Sequence, residues 1–182
     1  MIIAITGTPG TGKTSVAEQL RDKNFEVIDL NLVAKQKGFI LGVDRKRNSS
    51  IVDIKKLDKH VLENYSDKSI VFIEGHLSHL LKNVDKVIVL RCPPLKLKQN
   101  LIKKGWKPEK IKENVESEIL DIILCEAVDL HSESDIFEVD VSKKSVKDVS
   151  DIILDMVKCE FKNMKKYKIG DIDWSEEILK DF

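Results

Sequence analysis

The sequence predicts an α/β fold, a parallel sheet covered by helices on both faces, and three observations predict it. Five short apolar runs rich in β-branched residues recur along the chain, at residues 2–6, 25–28, 69–73, 86–90 and 136–141. Longer stretches with a helical apolar period stand between them. A glycine-rich loop separates the first run from the first helical stretch. Uninterrupted apolar runs are what strands buried on both faces need, and strands alternating with helices imply parallel pairing through right-handed crossovers. At 182 residues and 42% hydrophobic, the chain suits one domain with a sizeable core.

The elements follow in order. Residues 2–6 form the first strand, residues 7–12 the loop, and residues 13–21 a helix with Val16, Ala17 and Leu20 on one side. The second strand covers 25–28. Residues 29–65 then use more chain than one crossover needs: a helical start at 30–37, a polar turn at 42–48, and a helix at about 53–64. Insertions at the carboxyl ends of strands are where α/β folds place binding surfaces. The third and fourth strands cover 69–73 and 86–90, and a helix covers 94–103. Residues 103–113, KKGWKPEKIKE, make a basic elbow, and one helix is predicted over about 108–130. The fifth strand is followed by a helix at about 145–164. Residues 165–182 read as an appended tail, and Ile169, Ile172, Trp174, Ile178, Leu179 and Phe182 predict that it docks.

Charge excludes some classes of function. Basic and acidic residues balance at 31 each, which gives no push toward nucleic acid or a membrane surface. Cys92, Cys125 and Cys159 are isolated, with no zinc-type spacing, and suit a reducing compartment. No apolar run approaches the ~20 residues of a membrane span. The N-terminus enters a strand directly rather than reading as a signal peptide. The expectation is a soluble, cytoplasmic protein with no membrane and no direct nucleic-acid partner.

Residues 7–14 read Gly-Thr-Pro-Gly-Thr-Gly-Lys-Thr, a complete G-x-x-x-x-G-K-[ST] loop between a buried strand and a helix. Glycines let the backbone wrap a phosphate with its N–H groups inward, and the helix N-terminus adds its dipole. Lys13 reaches the β and γ phosphates, and the Thr14 hydroxyl can hold Mg²⁺. Gly10, Thr11, Gly12, Lys13, Thr14 and Ser15 are the predicted ATP-binding residues of this P-loop. A magnesium carboxylate belongs at the end of a neighbouring strand, and Glu74 ends the third run. His76 could orient an attacking water or an acceptor phosphate, or simply pack. His79 reads as structural, and His60 and His131 have no constellation around them.

A kinase needs an acceptor site, and the 29–65 insertion is the candidate. Asp29 and Asn31 could meet a ribose or base, and Lys35 a phosphate. The elbow is the candidate lid, whose Lys103, Lys104, Lys107 and Lys110 can neutralise charge on a transferred phosphoryl group. Arg91 either touches nucleotide or makes a salt bridge at its strand end. The candidate catalytic residues are Lys13, Glu74, His76 and Lys104.

The runs TGTPGTGKTS at 6–15, EGH at 74–76, VLR at 89–91 and KGWxxxKIxENVESEI at 104–119 together resemble the adenylate kinase isoenzyme 6 family. That family comprises the nuclear or archaeal adenylate kinase homologues tied to small ribosomal subunit maturation. The resemblance implies a nucleoside monophosphate kinase fold with a five-stranded parallel sheet over residues 1–164, a monophosphate-binding insertion at 29–65 and a lid at 103–113. It implies ATP and Mg²⁺, AMP as favoured acceptor, broad acceptor specificity, and ATP hydrolysis. It also implies a partner, a platform protein of the small ribosomal subunit. By loose resemblance Lys144 is an adenine-loop contact. Three positions depart from the family pattern: Glu74 stands for Asp, and Lys104 and Lys35 for Arg. Lysine keeps the charge but loses the planar bidentate fork. The competing expectations are an assembly ATPase and a shikimate- or gluconate-type kinase, although no carbohydrate-reading constellation is visible.

Overall fold

The run IIAIT becomes β1 (Ile2–Thr6), the middle strand of a five-stranded sheet. The structure, a computed structural model, describes residues 1–44 and 49–176. Arg45, Lys46, Arg47 and Asn48 of the expected turn, and Ile178, Leu179 and Phe182 of the tail, lie outside the described residues.

The chain continues through α1 (Lys13–Asp22), β2 (Glu26–Asp29), α2 (Leu30–Gln36), β3 (Ile40–Asp44), β4 (Ser49–Val52) and α3 (Ile54–Tyr65). Then come β5 (Val71–Glu74), β6 (Lys86–Arg91), α4 (Pro94–Lys103), α5 (Pro108–Ile119), α6 (Ile122–Leu130), β7 (Ile136–Asp140) and α7 (Val146–Lys158). The sheet order is β2-β5-β1-β6-β7, and every pairing in it is parallel. The five apolar runs are its five strands, each within two residues of the expected bounds.

Period-two alternation sorts the strand side chains into two layers. Ile3, Ile5, Phe72, Ile88, Leu90 and Phe137 join the core beneath α1, α4, α5 and α7. Ile2, Ala4, Val71, Ile73, Val87 and Val89 face α2, α3 and α6. Local chemistry starts the helices. The Asp29 and Asp53 carboxylates accept the backbone N–H groups of Leu32 and Lys56, Ser145 and Asp148 form a capping box, and Pro94 and Pro108 open α4 and α5.

Three elements differ from expectation. The insertion contains an antiparallel hairpin, β3 with β4, beyond the expected helices and turn. The single helix expected over 108–130 breaks at Asp121, which takes a left-handed φ of 54° while its carboxylate accepts from Arg91. α7 stops at Lys158 because Glu160, Phe161 and Asn163 all have positive φ. That turn buries Phe161 against Phe137, with ring centroids 5.1 Å apart. The described part of the tail docks: Tyr167 and Trp174 pack on one core cluster and Ile169 on another. No helix among the described residues is long and apolar enough to cross a membrane.

Candidate functional site

The carboxyl ends of β1, β5 and β2 meet at the loop following β1. Gly7 has φ 135°, and a Cβ there would lie 2.4 Å from the Leu90 carbonyl oxygen, so this position requires glycine. Gly12, at φ 98°, leads directly into α1, whose unsatisfied N–H groups face the loop. Asn100 Nδ2 on α4 donates to the Gly10 carbonyl at 3.0 Å and braces the loop from outside. Lys13 curls back and is buried, its Nζ donating to the carbonyls of Gly7 at 2.7 Å and Thr8 at 3.1 Å. Burial lowers its pKa to about 8; Glu74 and Glu118 oppose that shift and Lys104 adds to it. An anion replacing those carbonyls would restore the charged form.

Parallel register places Asp29 directly beside Glu74 at the ends of β2 and β5. The Thr14 hydroxyl shares the cleft with the Glu74 carboxylate and favours its charged form. Burial, then repulsion from Asp29, raises the Glu74 pKa, while Lys13, Arg21 and Thr14 pull it down. Two adjacent carboxylates and a hydroxyl form a hard oxygen donor set that a divalent cation would relieve. No group of three or more His, Cys, Asp or Glu among the described residues is placed to hold a metal ion. Mg²⁺ needs no such cage, since it typically takes one or two carboxylates and completes its shell with water and phosphate. The residues present therefore fit Mg²⁺.

These groups line a cleft of about 220 Å³ that also takes in Gly10, Gly12, Ser15, Asn31, His76 and Lys104. Burial, with Lys13 adding its charge, lowers the His76 pKa to about 4, so its imidazole is neutral at pH 7. A larger cavity of about 580 Å³ adjoins the cleft and shares Pro9, Asn31 and His76 with it. One wall comes from the insertion (Ala34, Lys35, Ile40, Ser50, Val52) and the other from the elbow, α5 and α6 (Trp106, Lys110, Asn114, Ser117, Ile123, Glu126). Lys110 sits 4.5 Å from the centroid of the Trp106 ring.

The structure thus gathers Gly10, Gly12, Lys13, Thr14, Ser15, Asp29, Asn31, Glu74, His76 and Lys104 in one place, with Lys35 next door. Thr11 is buried inside the loop, its hydroxyl without a hydrogen-bond partner. Arg91 and Lys144 line neither cavity. Of the two roles open to Arg91, the geometry favours the ion pair: its buried guanidinium donates to Glu118, Glu138 and Asp121. Lys144 Nζ donates to the Asp140 carbonyl at 2.7 Å.

Sequence reasoning missed Thr8, whose hydroxyl donates to Glu118 Oε2 at 2.5 Å; His79, read as structural, is indeed buried, though its partners were not foreseen. The His79 ring lies 2.9 Å from the Thr6 hydroxyl and 2.8 Å from the Glu126 carboxylate. His131, expected to have no constellation, donates from Nε2 to the His79 carbonyl at 2.8 Å. None of these pairs has a local sequence signal.

Residues 3–121 match the family model described as an AAA domain. A relative from Methanocaldococcus jannaschii is 39% identical over 180 residues, spanning 98% of this chain and 96% of that one. Another, from Archaeoglobus fulgidus, is 40% identical over 178 residues, spanning 98% and 94%. Both carry the name "Putative adenylate kinase". Among solved structures, a shikimate kinase from Acinetobacter baumannii aligns with TM-score 0.61 at 18% identity, covering 87% of this chain and 93% of that one. A gluconokinase from Sinorhizobium meliloti aligns with TM-score 0.57 at 14% identity, covering 89% and 94%. At those identities the likeness is one of fold, a P-loop kinase-like sheet with flanking helices.

Proposed function

From the premise that the chain belongs to the family of these archaeal adenylate kinase homologues, we propose that it transfers the γ-phosphoryl group of ATP to AMP or another nucleoside monophosphate. The observation that carries this reading is the pair of adjoining cavities. A cleft built for phosphate opens directly into a half-apolar chamber whose walls come from the insertion and the elbow. A simple hydrolase needs only the first.

In this reading residues 29–65 are the monophosphate-binding region, 103–113 the lid, and 165–182 an appended tail. The loop N–H groups and Lys13 hold the donor phosphates, and Lys13 exchanges its carbonyl partners for phosphate oxygens. Thr14 and Glu74, with Asp29 beside them, would hold Mg²⁺, whose positive charge would offset that of the donor phosphates. Lys104, at the cleft edge, adds positive charge where the phosphoryl group passes. Asn31 and His76, shared by both cavities, stand between donor and acceptor. Lys35 meets the acceptor phosphate, and Ile40, Val52, Trp106 and Ile123 give a base apolar surface. The shikimate- or gluconate-type alternative loses ground here, because such an apolar wall suits a base better than a polyol.

A second reading, ATP hydrolysis as a timing device in small ribosomal subunit maturation, has one observation in its favour. His76 is neutral and two residues from Glu74, so it can orient a water by hydrogen bonding. The platform-protein partner rests on the family resemblance alone, and a binding assay with that purified protein tests it.

Product analysis with ATP and Mg²⁺, with and without AMP, decides between the readings. The kinase reading expects AMP-dependent formation of two ADP per ATP consumed. Slow phosphate release indifferent to AMP would overturn it in favour of the ATPase. Within the same assay His76→Gly is expected to depress hydrolysis more than transfer if the imidazole orients water.

A further inference from the structure

Glu118 lies near the end of α5, 3% exposed, and its two carboxylate oxygens are divided between two parts of the fold. Oε1 accepts from Arg91 Nε at 2.9 Å and from the Cys92 backbone N–H at 3.1 Å, which fixes it to the end of β6. Oε2 accepts from the Thr8 hydroxyl at 2.5 Å, inside the phosphate loop. Thr8 is also buried, and its carbonyl accepts from Lys13 Nζ and from the Thr11 N–H. One carboxylate on a helix is therefore one hydrogen bond from the residue that supports the donor-binding lysine.

The same helix carries the other site. Lys110, Asn114 and Ser117 of α5 line the larger cavity. Gly105 at φ 72° stands before the helix and Asp121 at φ 54° after it, so α5 is bracketed by two left-handed residues. Apolar packing already seats it through Ile111, Val115 and Ile119. A buried carboxylate is an expensive way to add more packing, since its desolvation must be offset by pairing. Arg91 and the Cys92 N–H supply that pairing on Oε1 and the Thr8 hydroxyl supplies it on Oε2, and this second bond also fixes the loop to the helix.

Resting on the reading of the two cavities as donor and acceptor sites, we propose that Glu118 is a positioning residue that couples them through its hydrogen bond with Thr8. The bond sets the elbow and the acceptor wall relative to the donor loop, so a nucleotide held by the loop and an acceptor held against α5 meet in register. Loss of the bond leaves two sites that still exist but no longer align.

The test uses Thr8→Val, which keeps the shape and removes the hydroxyl, with Thr8→Ser as rescue and Glu118→Gln as an independent variant. The first readout is the ratio of AMP-dependent ADP formation to AMP-independent phosphate release, a ratio insensitive to the fraction of folded protein. Thr8→Val and Glu118→Gln are expected to lower it about tenfold or more, the scale of one hydrogen bond to a charged group, and Thr8→Ser to keep it. Proportional loss of both activities with an unchanged ratio would mean a structural role and overturn the proposal. The second readout is amide hydrogen exchange of residues 108–121 with and without ATP and Mg²⁺. Wild-type protein is expected to show slower exchange there with nucleotide, and Thr8→Val no such difference. Exchange indifferent to nucleotide in the wild type overturns the coupling even if Thr8→Val fails to fold. A wild type that slows exchange in α5 yet transfers nothing to AMP would sink the acceptor reading and leave the coupling standing.

Discussion

Lys13 without phosphate is a buried ammonium whose bonds run to the carbonyls of its own loop, and its lowered pKa of about 8 follows from that burial. The charged form is present below about pH 8 and lost above it, so kcat/KM for ATP is expected to fall as one proton is lost above that pH. Bound phosphate favours the ammonium, so the corresponding limb of kcat lies at higher pH; the two pH profiles check both statements. Lys13→Met is expected to cut transfer by about 10³-fold, the scale of removing a preorganised charge donor. The melting temperature should not fall, because the methionine removes a buried charge. His76 behaves differently: with a pKa near 4, its imidazole contributes no ionisation between pH 6 and 8. The lysine and its glycines were legible in the sequence because wrapping a phosphate needs residue types at fixed local spacing. Thr8 and Glu118 were not, because their bond spans 110 positions and neither residue type marks it.

At the scale of elements, the strands were legible because burial on both faces forces uninterrupted apolar runs. The hairpin was not: Leu41, Val43 and Ile51 are 50–66% exposed, so no buried face imprints a clean alternation on it. The break between α5 and α6 was hidden for the opposite reason. The run of apolar residues on both sides of Asp121 continues a helical pattern, while the left-handed turn is held by long-range contact of its carboxylate with Arg91. That contact belongs to a cluster in which one guanidinium serves Glu118, Glu138 and Asp121, and burial raises the pKa of the latter two. Arg91→Met leaves three carboxylates facing one another and is expected to cost about 3–5 kcal/mol of stability in chemical denaturation. Gly7→Ala drives a methyl into the Leu90 carbonyl and is expected to weaken ATP binding through displacement of the loop from β6, measurable by titration calorimetry.

For the molecule as a whole, the tail ties separate layers together. Tyr167 and Trp174 cover one core cluster, Ile169 another, and the Gly170 N–H donates to Glu138 Oε2 at 2.7 Å. Removing residues 165–182 uncovers these surfaces and takes a donor from the Arg91 cluster. The shortened protein is expected to lose about 3 kcal/mol, read as a lower melting temperature. That the tail docks was legible from its apolar residues; that it reaches the ionic cluster under the loop was not, because a backbone N–H carries no sequence signature.

The central place of β1 also has a consequence for biosynthesis. β1 is made before both of its partners, pairing with residues 71–74 on one side and with residues 86–89 on the other. At ~5–20 residues per second, its apolar side chains wait on the order of ten seconds for both partners. A nascent chain stalled before residue 71 would present an unpaired sticky segment, and the phosphate loop cannot take shape until β6 supplies the Leu90 carbonyl against which Gly7 rests.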